Sequence, residues 1–175
     1  MGTPYYWSVN LQGIGYDGVY IDKVEFGDYK LGIMDTGTPL IHLPKRYHNM
    51  LVEMWKEQLG YDSDAFYQGA SGLMEGHGDC SKFQKRLSNF TVIFGDYLFD
   101  ITPEAYLMNC TDLPASICSV PNNCAFGIDS MDTELGAFQD SIFLLGNIFL
   151  KNFYAVYRAD NTTSVDLALA KHYQH

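Results

Sequence analysis

The 175-residue sequence predicts a single all-β domain with one or two short helices, spanning residues 1–175. Three observations favour this class. Apolar and polar residues alternate in several short runs, as where Trp7, Val9 and Leu11 alternate with Ser8 and Asn10. Turn dipeptides separate the runs, and only one long stretch has helical periodicity. The 13 Tyr, 11 Phe and 2 Trp add residues that favour strands.

Three hairpins follow from the turn residues. Tyr16-Asp17-Gly18 leads from the first strand region into a strand at 19–26. Gly95-Asp96 lies between strands at 91–94 and 97–101, and Asp160-Asn161 lies between strands at 154–158 and 164–170.

One segment has the pattern of a helix that starts at Pro44 and stops at Gly60. Its apolar stripe is formed by Tyr47, Met50, Leu51, Met54, Trp55 and Leu59. A second, short helix is predicted at 147–153, and a glycine-rich loop at 62–79.

The charge balance excludes two classes of partner. Eleven basic residues stand against 21 acidic ones, a formal net charge of −10 at pH 7. Nucleic acid and anionic membrane surfaces would repel such a chain. No apolar run approaches the roughly 20 residues that a membrane-spanning helix needs. We therefore expect neither a nucleic-acid partner nor a membrane span.

Cysteines and glycosylation sequons favour an oxidising, secretory compartment. The four cysteines, Cys80, Cys110, Cys118 and Cys124, lack the two-residue spacing of zinc or redox motifs. Four cysteines allow three disulfide connectivities, so the sequence alone leaves the pairing open. Sequons at Asn89, Asn109 and Asn161 are candidate glycosylation sites.

The sequence contains the letters of a nucleotide-binding fingerprint without the helix that the motif requires. Gly13, Gly15 and Gly18 match G-x-G-x-x-G, but that site requires a helix to begin at the last glycine. The residues that follow have the pattern of a strand. We therefore interpret the glycines as part of a hairpin.

The stretch with a chemical signature is Gly32-Ile-Met-Asp-Thr-Gly-Thr-Pro-Leu-Ile41. Apolar residues lead to Asp35, which small and hydroxyl residues follow. This order predicts a carboxylate at the end of a buried strand. Gly37 lets the backbone approach closely, and hydroxyl and N–H groups hold the carboxylate oxygens.

A second motif, Leu144-Leu-Gly-Asn-Ile-Phe-Leu150, follows more than a hundred residues later, before Phe153-Tyr-Ala-Val-Tyr-Arg158. In this order the motifs resemble the C-terminal lobe of the pepsin-like aspartic proteases. The resemblance runs from Tyr5-Tyr6-Trp7 to Val165–Ala170 and so covers nearly the whole chain. Pro39 and Asn147 depart from the family pattern, which usually has Ser and often has Asp there.

The resemblance implies a role for each matching residue. Asp35 corresponds to one of two catalytic aspartates, supported by Thr36, Gly37 and Thr38. The resemblance implies five substrate-binding wall residues: Tyr6, Ile33, Met131, Ile142 and Leu144. It also implies disulfides between Cys80 and Cys124 and between Cys110 and Cys118. Water is the nucleophile in the family, so no metal or organic cofactor is expected.

The family's reaction needs two carboxylates, and this chain has one Asp-Ser/Thr-Gly. The resemblance therefore implies a partner, an N-terminal lobe that carries the other aspartate and the flap, and an extended peptide as substrate. The first residues fall where the lobes of the family join, which favours a cut or separately made half. The alternatives are a self-pairing homodimer and an inactive lobe that acts as a binding module. The expected location is the secretory pathway, with a secreted or a lysosomal or vacuolar destination.

Overall fold

A computed structural model describes residues 6–23, 30–60, 66–118, 120–131, 140–159 and 164–170, and it confirms the all-β class. The first sheet contains β1 (Ser8–Asn10), β4 (Leu31–Met34), β5 (Ile41–Pro44), β12 (Ile128–Met131) and β13 (Ile142–Leu145). The second contains β2 (Gly13–Tyr16), β3 (Val19–Lys23), β8 (Phe90–Phe94) and β9 (Tyr97–Ile101). The third contains β6 (Phe66–Gln68), β7 (Met74–Gly76), β10 (Leu107–Asn109) and β11 (Cys124–Phe126).

A separate hairpin and four helices complete the described fold. The hairpin pairs β14 (Phe153–Arg158) with β15 (Ser164–Leu169). The helices are α1 (Lys45–Leu59), α2 (Ser81–Gln84), α3 (Pro103–Tyr106) and α4 (Asn147–Leu150), with a 3₁₀ turn at Cys110–Asp112. None of the helices in the described ranges is long and apolar enough to cross a membrane.

The first sheet contains an inserted strand, β13, which determines the path of the loop after β4. Its order is β1-β4-β13-β5-β12, so β13 lies between β4 and β5 although it comes a hundred residues later. β13 runs parallel to β4 and antiparallel to β5. The loop that joins β4 to β5 must therefore cross the end of β13.

The second sheet confirms two of the predicted hairpins. Asp17 and Gly18 have φ angles of 54° and 73°, the conformation that two-residue hairpin turns require. Gly13 and Gly15 lie inside β2, and a strand follows Gly18, so the fingerprint glycines lack the helix that a nucleotide site needs. The turn predicted at Asp160-Asn161 and the residues at 24–26 lie outside the described part of the chain.

The third sheet corrects the prediction of a glycine-rich loop at 62–79. β6 and β7 form a hairpin there, with Gly72 in the turn at a φ of 93°. Residue 76, at the end of β7, has to be a glycine because the Phe83 ring occupies the space beside it, 2.2 Å from where a Cβ would stand. These glycines serve close packing and the turn of a hairpin. Composition alone does not distinguish glycines in a hairpin from glycines in a loop.

Helix α1 begins and ends as predicted, while α4 is shorter than expected. Gly60 terminates α1 in the left-handed conformation, with a φ of 86° and its N–H bonded to Lys56 O at 2.9 Å. Met50 is 45% exposed, so its assignment to the buried stripe is wrong. The short helix ends at Leu150 because β14 starts at Phe153.

An aromatic cluster holds α1 against the sheets. Trp55 is fully buried, and its ring centroid lies 6.2 Å from that of Phe66, 6.1 Å from that of Tyr106 and 4.9 Å from that of Phe126. The cluster therefore joins α1 to β6, α3 and β11 through one side chain.

Two disulfides fasten the third sheet. Cys80 is bonded to Cys124 and Cys110 to Cys118, which is the pairing that the resemblance implied. The first bond joins the residue before α2 to the start of β11. Such bonds are typical of oxidising compartments.

We expect Trp55→Ala to lower the free energy of unfolding by about 3–5 kcal/mol, because the substitution leaves a cavity among four elements. Urea denaturation of both variants measures the change. Met50→Ala is the matched control on the same helix and should change it by less than about 0.5 kcal/mol. Equal effects of the two substitutions would contradict the assigned core.

Candidate active site

Asp35 lies where β4 ends, half-buried, at the beginning of the loop that crosses β13. Its backbone N–H donates to Leu145 O at 3.2 Å, so the residue is fixed to the last position of the inserted strand. The apolar residues before Asp35 form β4, so the carboxylate lies at the end of that strand, as the sequence predicts.

The carboxylate of Asp35 is held by its own loop. Gly37 N donates to Oδ1 at 2.9 Å, and Thr38 Oγ1 donates to Oδ2 at 2.5 Å. A Cβ on residue 37 would stand 3.2 Å from Oδ1, so glycine permits the close approach. Each carboxylate oxygen thus receives one donor, and the side chain is confined to one orientation.

The loop is braced from below by the segment after β13. Gly146 N donates to Leu40 O at 3.1 Å, Asn147 N to Thr38 O at 2.8 Å and Ile148 N to Pro39 O at 3.1 Å. A Cβ on Gly146 would lie 2.2 Å from Thr38 O and 2.3 Å from Leu40 O. Only glycine can therefore pass beneath the loop at this point.

Thr36 is one of three exposed residues of the loop, with Gly37 and Pro39. Its carbonyl accepts a hydrogen bond from Asn147 Nδ2 at 3.3 Å, while its hydroxyl makes none with the described residues. An aspartate at 147 could not donate this bond in its ionised form. The asparagine that departs from the family pattern is thus a structural support of the loop.

Three of the five predicted wall residues lie together. Ile33 and Leu144 are Cα partners on β4 and β13, and Ile142 lies two positions before Leu144 on the same face. All three are half-buried, whereas the alternate residues of these strands are fully buried. They form an apolar surface below Asp35.

The other two predicted wall residues lie apart. Tyr6 precedes β1 and is 66% exposed. Its neighbour Trp7 accepts a hydrogen bond from Met34 N at 2.8 Å, so Tyr6 lies near the end of β4. Met131 is buried at the end of the edge strand β12, paired with Pro44 and two strands away from β13.

His42 also belongs to the surface formed by Ile33, Ile142 and Leu144, and it is not among the five wall residues that the resemblance implies. It is the Cα partner of Leu144 on one side and of Asp129 on the other, and it is half-buried. The signal was present, since His42 alternates with the buried Ile41 and Leu43 and must therefore face away from the core.

We expect Gly146→Ala to destabilise the protein by about 3 kcal/mol or more, because its Cβ would meet two backbone oxygens that cannot move independently. Gly95→Ala is the control, since a Cβ there meets nothing within 4 Å. Its cost should be about 1–2 kcal/mol, the penalty of the left-handed conformation. Thermal and urea unfolding compare the two, and an equal cost would show that the loop does not rest on residue 146.

The sequence of this chain is similar to those of known proteins. The family described as eukaryotic aspartyl protease matches residues 1–170. Gastricsin from Cavia porcellus is 27% identical over 156 residues, which cover 89% of this chain and 33% of that protein. Vacuolar protease A from Neurospora crassa is 28% identical over 166 residues, covering 95% and 35%. Pepsin A from Gallus gallus is 26% identical over 166 residues, covering 89% and 37%.

The chain therefore spans about a third of the length of the curated relatives it matches. The match runs through both motifs, the one around Asp35 and the one around Gly146. With an all-β fold and a carboxylate held above a braced loop, the chain belongs to the eukaryotic aspartyl protease family.

Proposed function

We propose that this chain is the C-terminal lobe of an aspartic endopeptidase and that Asp35 supplies one of its two catalytic carboxylates. The observation that carries the proposal is the pair of donors on Asp35, Gly37 N–H and Thr38 Oγ1, in a loop braced by Gly146. This arrangement holds one carboxylate at a half-exposed position, where a substrate and a second carboxylate can reach it.

The proposed reaction is water-mediated hydrolysis of a peptide bond. One carboxylate takes a proton from water as the water oxygen attacks the carbonyl carbon, and the other gives its proton to the carbonyl oxygen. Two carboxylates this close cannot both be ionised, so they share one proton. A lone Asp35 can do half of this task, and we infer that the isolated chain is inactive.

The β14–β15 hairpin supports a second lobe as the partner. The two strands pair only with each other among the described residues, and a two-stranded sheet is marginal by itself. Tyr154 is 69% exposed and Leu169 is 82% exposed on this hairpin. Apolar side chains on an unfinished sheet suit coverage by a further domain. The N-terminal lobe, with the other aspartate and the flap, is the partner we propose.

The half-buried surface below Asp35 supports an extended peptide as substrate. Ile33, Ile142 and Leu144 offer apolar contacts, and we assign Tyr6 and Met131 to other parts of the same cleft. Thr36, whose hydroxyl has no partner among the described residues, is assigned to contact with the opposite lobe.

We further propose that the protein passes through the secretory pathway to a secreted or a lysosomal or vacuolar destination, and that it is a glycoprotein. The two disulfides support this location, since they persist in oxidising compartments. Asn89 and Asn109 are exposed sequon residues, and Asn161 lies outside the described residues.

We expect Asp35→Asn to reduce peptide hydrolysis by the two-lobe protein by about 10²–10⁴-fold or more, because an amide cannot exchange the proton that the reaction moves. Asp96→Asn, an exposed turn residue with the same chemical change, should leave the rate unaltered. The assay is cleavage of a peptide at pH 3 to 7 with a statine-type inhibitor as control. Full activity of Asp35→Asn would overturn the catalytic assignment and favour a binding module.

Thr38→Val should lower kcat by about ten- to a hundredfold, the effect of losing one hydrogen bond to a charged group, while KM changes little. Thr38→Ser restores the hydroxyl and should recover most of kcat. Steady-state kinetics of the two variants make the comparison. A Ser variant as impaired as the Val variant would mean that the methyl group, and not the hydroxyl, is what matters at this position.

A further inference from the structure

A trough of about 650 Å³ lies on the outer face of the second sheet, away from Asp35. Gly15 on β2 and Thr91 on β8 form its floor as Cα partners. Tyr20 on β3 and Leu98 on β9 form its two sides, 54% and 65% exposed. Gly15 adds no side chain to this floor, and a Cβ there would stand 3.0 Å from Val19 O and 3.7 Å from the Cβ of Thr91.

The trough combines apolar walls with fixed polar groups. Thr91 Oγ1 donates to Asp100 Oδ1 at 2.6 Å, and Ser88 Oγ donates to Asp17 Oδ1 at 2.7 Å. Each carboxylate keeps a second oxygen that can accept further hydrogen bonds. A surface of this kind suits a sugar, which has an apolar face of C–H groups and a rim of hydroxyls that donate hydrogen bonds.

Asn89 lines one end of the trough and begins the sequon Asn89-Phe90-Thr91. Phe90 is fully buried while Thr91 faces the trough, so strand alternation places Asn89 and Thr91 on the trough side. The Asn89 residue is exposed, and its side-chain amide makes no hydrogen bond with the described residues. Its backbone carbonyl accepts a hydrogen bond from Asp17 N at 3.2 Å.

The sequon at Asn109 differs in its surroundings. Its Oδ1 accepts a hydrogen bond from Cys80 N at 3.4 Å, and its middle residue is Cys110, which is buried and bonded to Cys118. The side chain at 109 is thus part of the framework around the disulfides, whereas that of Asn89 is not.

We propose that Asn89 carries an N-linked oligosaccharide whose first sugars lie in the trough against Tyr20 and Leu98. The inference rests on the secretory location that we propose for the protein. The glycan would cover apolar side chains that are otherwise exposed to water, and its amide anchor is already at the rim. Lys23 Nζ, 5.3 Å from the Tyr20 ring centroid, helps to fix the ring that forms one wall.

The modification is a group transfer from a lipid diphosphate-linked oligosaccharide. Asn89 Nδ2 forms a bond to C1 of the first sugar, and the bond from C1 to the diphosphate oxygen breaks. The lipid diphosphate leaves with that electron pair, and the amide nitrogen loses one proton to the transferase. No residue of this chain is oxidised or reduced.

Site occupancy is tested on the protein secreted from a eukaryotic host, by intact mass and by glycopeptide mass spectrometry. We expect Asn89→Gln and Thr91→Val each to remove one oligosaccharide mass. Thr91→Ser keeps the sequon and should keep the glycan. Asn109→Gln is the matched control and should leave the glycan at residue 89 in place. An unmodified Asn89 in the secreted protein would overturn the proposal.

The position of the glycan is tested by its enzymatic release from the folded protein. Tyr20→Ala should speed release by roughly three- to tenfold, the effect of losing one aromatic contact. Tyr97→Ala is the control, since this aromatic residue is 74% exposed but lies outside the trough. Equal release rates for Tyr20→Ala and the unsubstituted protein would show that the sugars do not lie in the trough.

The two proposals fail separately. A protein that cleaves peptides but has an unmodified Asn89 contradicts this inference alone. A protein with a glycan on Asn89 and no hydrolysis in the presence of both lobes contradicts the proposed function alone.

Discussion

The structure depends on one close approach, the passage of Gly146 beneath the loop that carries Asp35. The backbone after β13 gives N–H groups to Thr38 O and Leu40 O, and it can do so only because residue 146 has no Cβ. These bonds fix the path of the loop, and the loop fixes both donors to the carboxylate. Two segments more than a hundred residues apart thus form a single support.

The strand order of the first sheet places an apolar surface beside this support. With β13 inserted between β4 and β5, Ile33 and Leu144 become neighbours, and an apolar surface forms directly below Asp35. The same insertion brings His42 to the far side of Leu144. The carboxylate and the surface that would receive a peptide are therefore consequences of one topology. The 175 residues contain one Asp-Thr-Gly, and we therefore propose a second lobe that carries the other aspartate.

The sequence was most informative where a local pattern has one physical solution. Asp17-Gly18 and Gly95-Asp96 specify turns, and Gly60 ends a helix, because few residues adopt their backbone conformations. It was least informative where packing over distance decides. The composition of 62–79 did not reveal that Gly76 makes room for Phe83, and the helical stripe did not show that Met50 faces water. His42 was not among the implied wall residues, and its neighbours across β13 and β12 are distant in sequence.

We propose that Asp35 is half of a catalytic pair that a different lobe completes. The most direct test is native mass spectrometry of the active species at acidic pH with a bound statine-type inhibitor. We predict one inhibitor for each assembly of one copy of this chain and one N-terminal lobe, whether the lobes are joined or separate. An inhibitor bound by two copies of this chain, or bound by neither that homodimer nor the two-lobe assembly, would overturn this pairing.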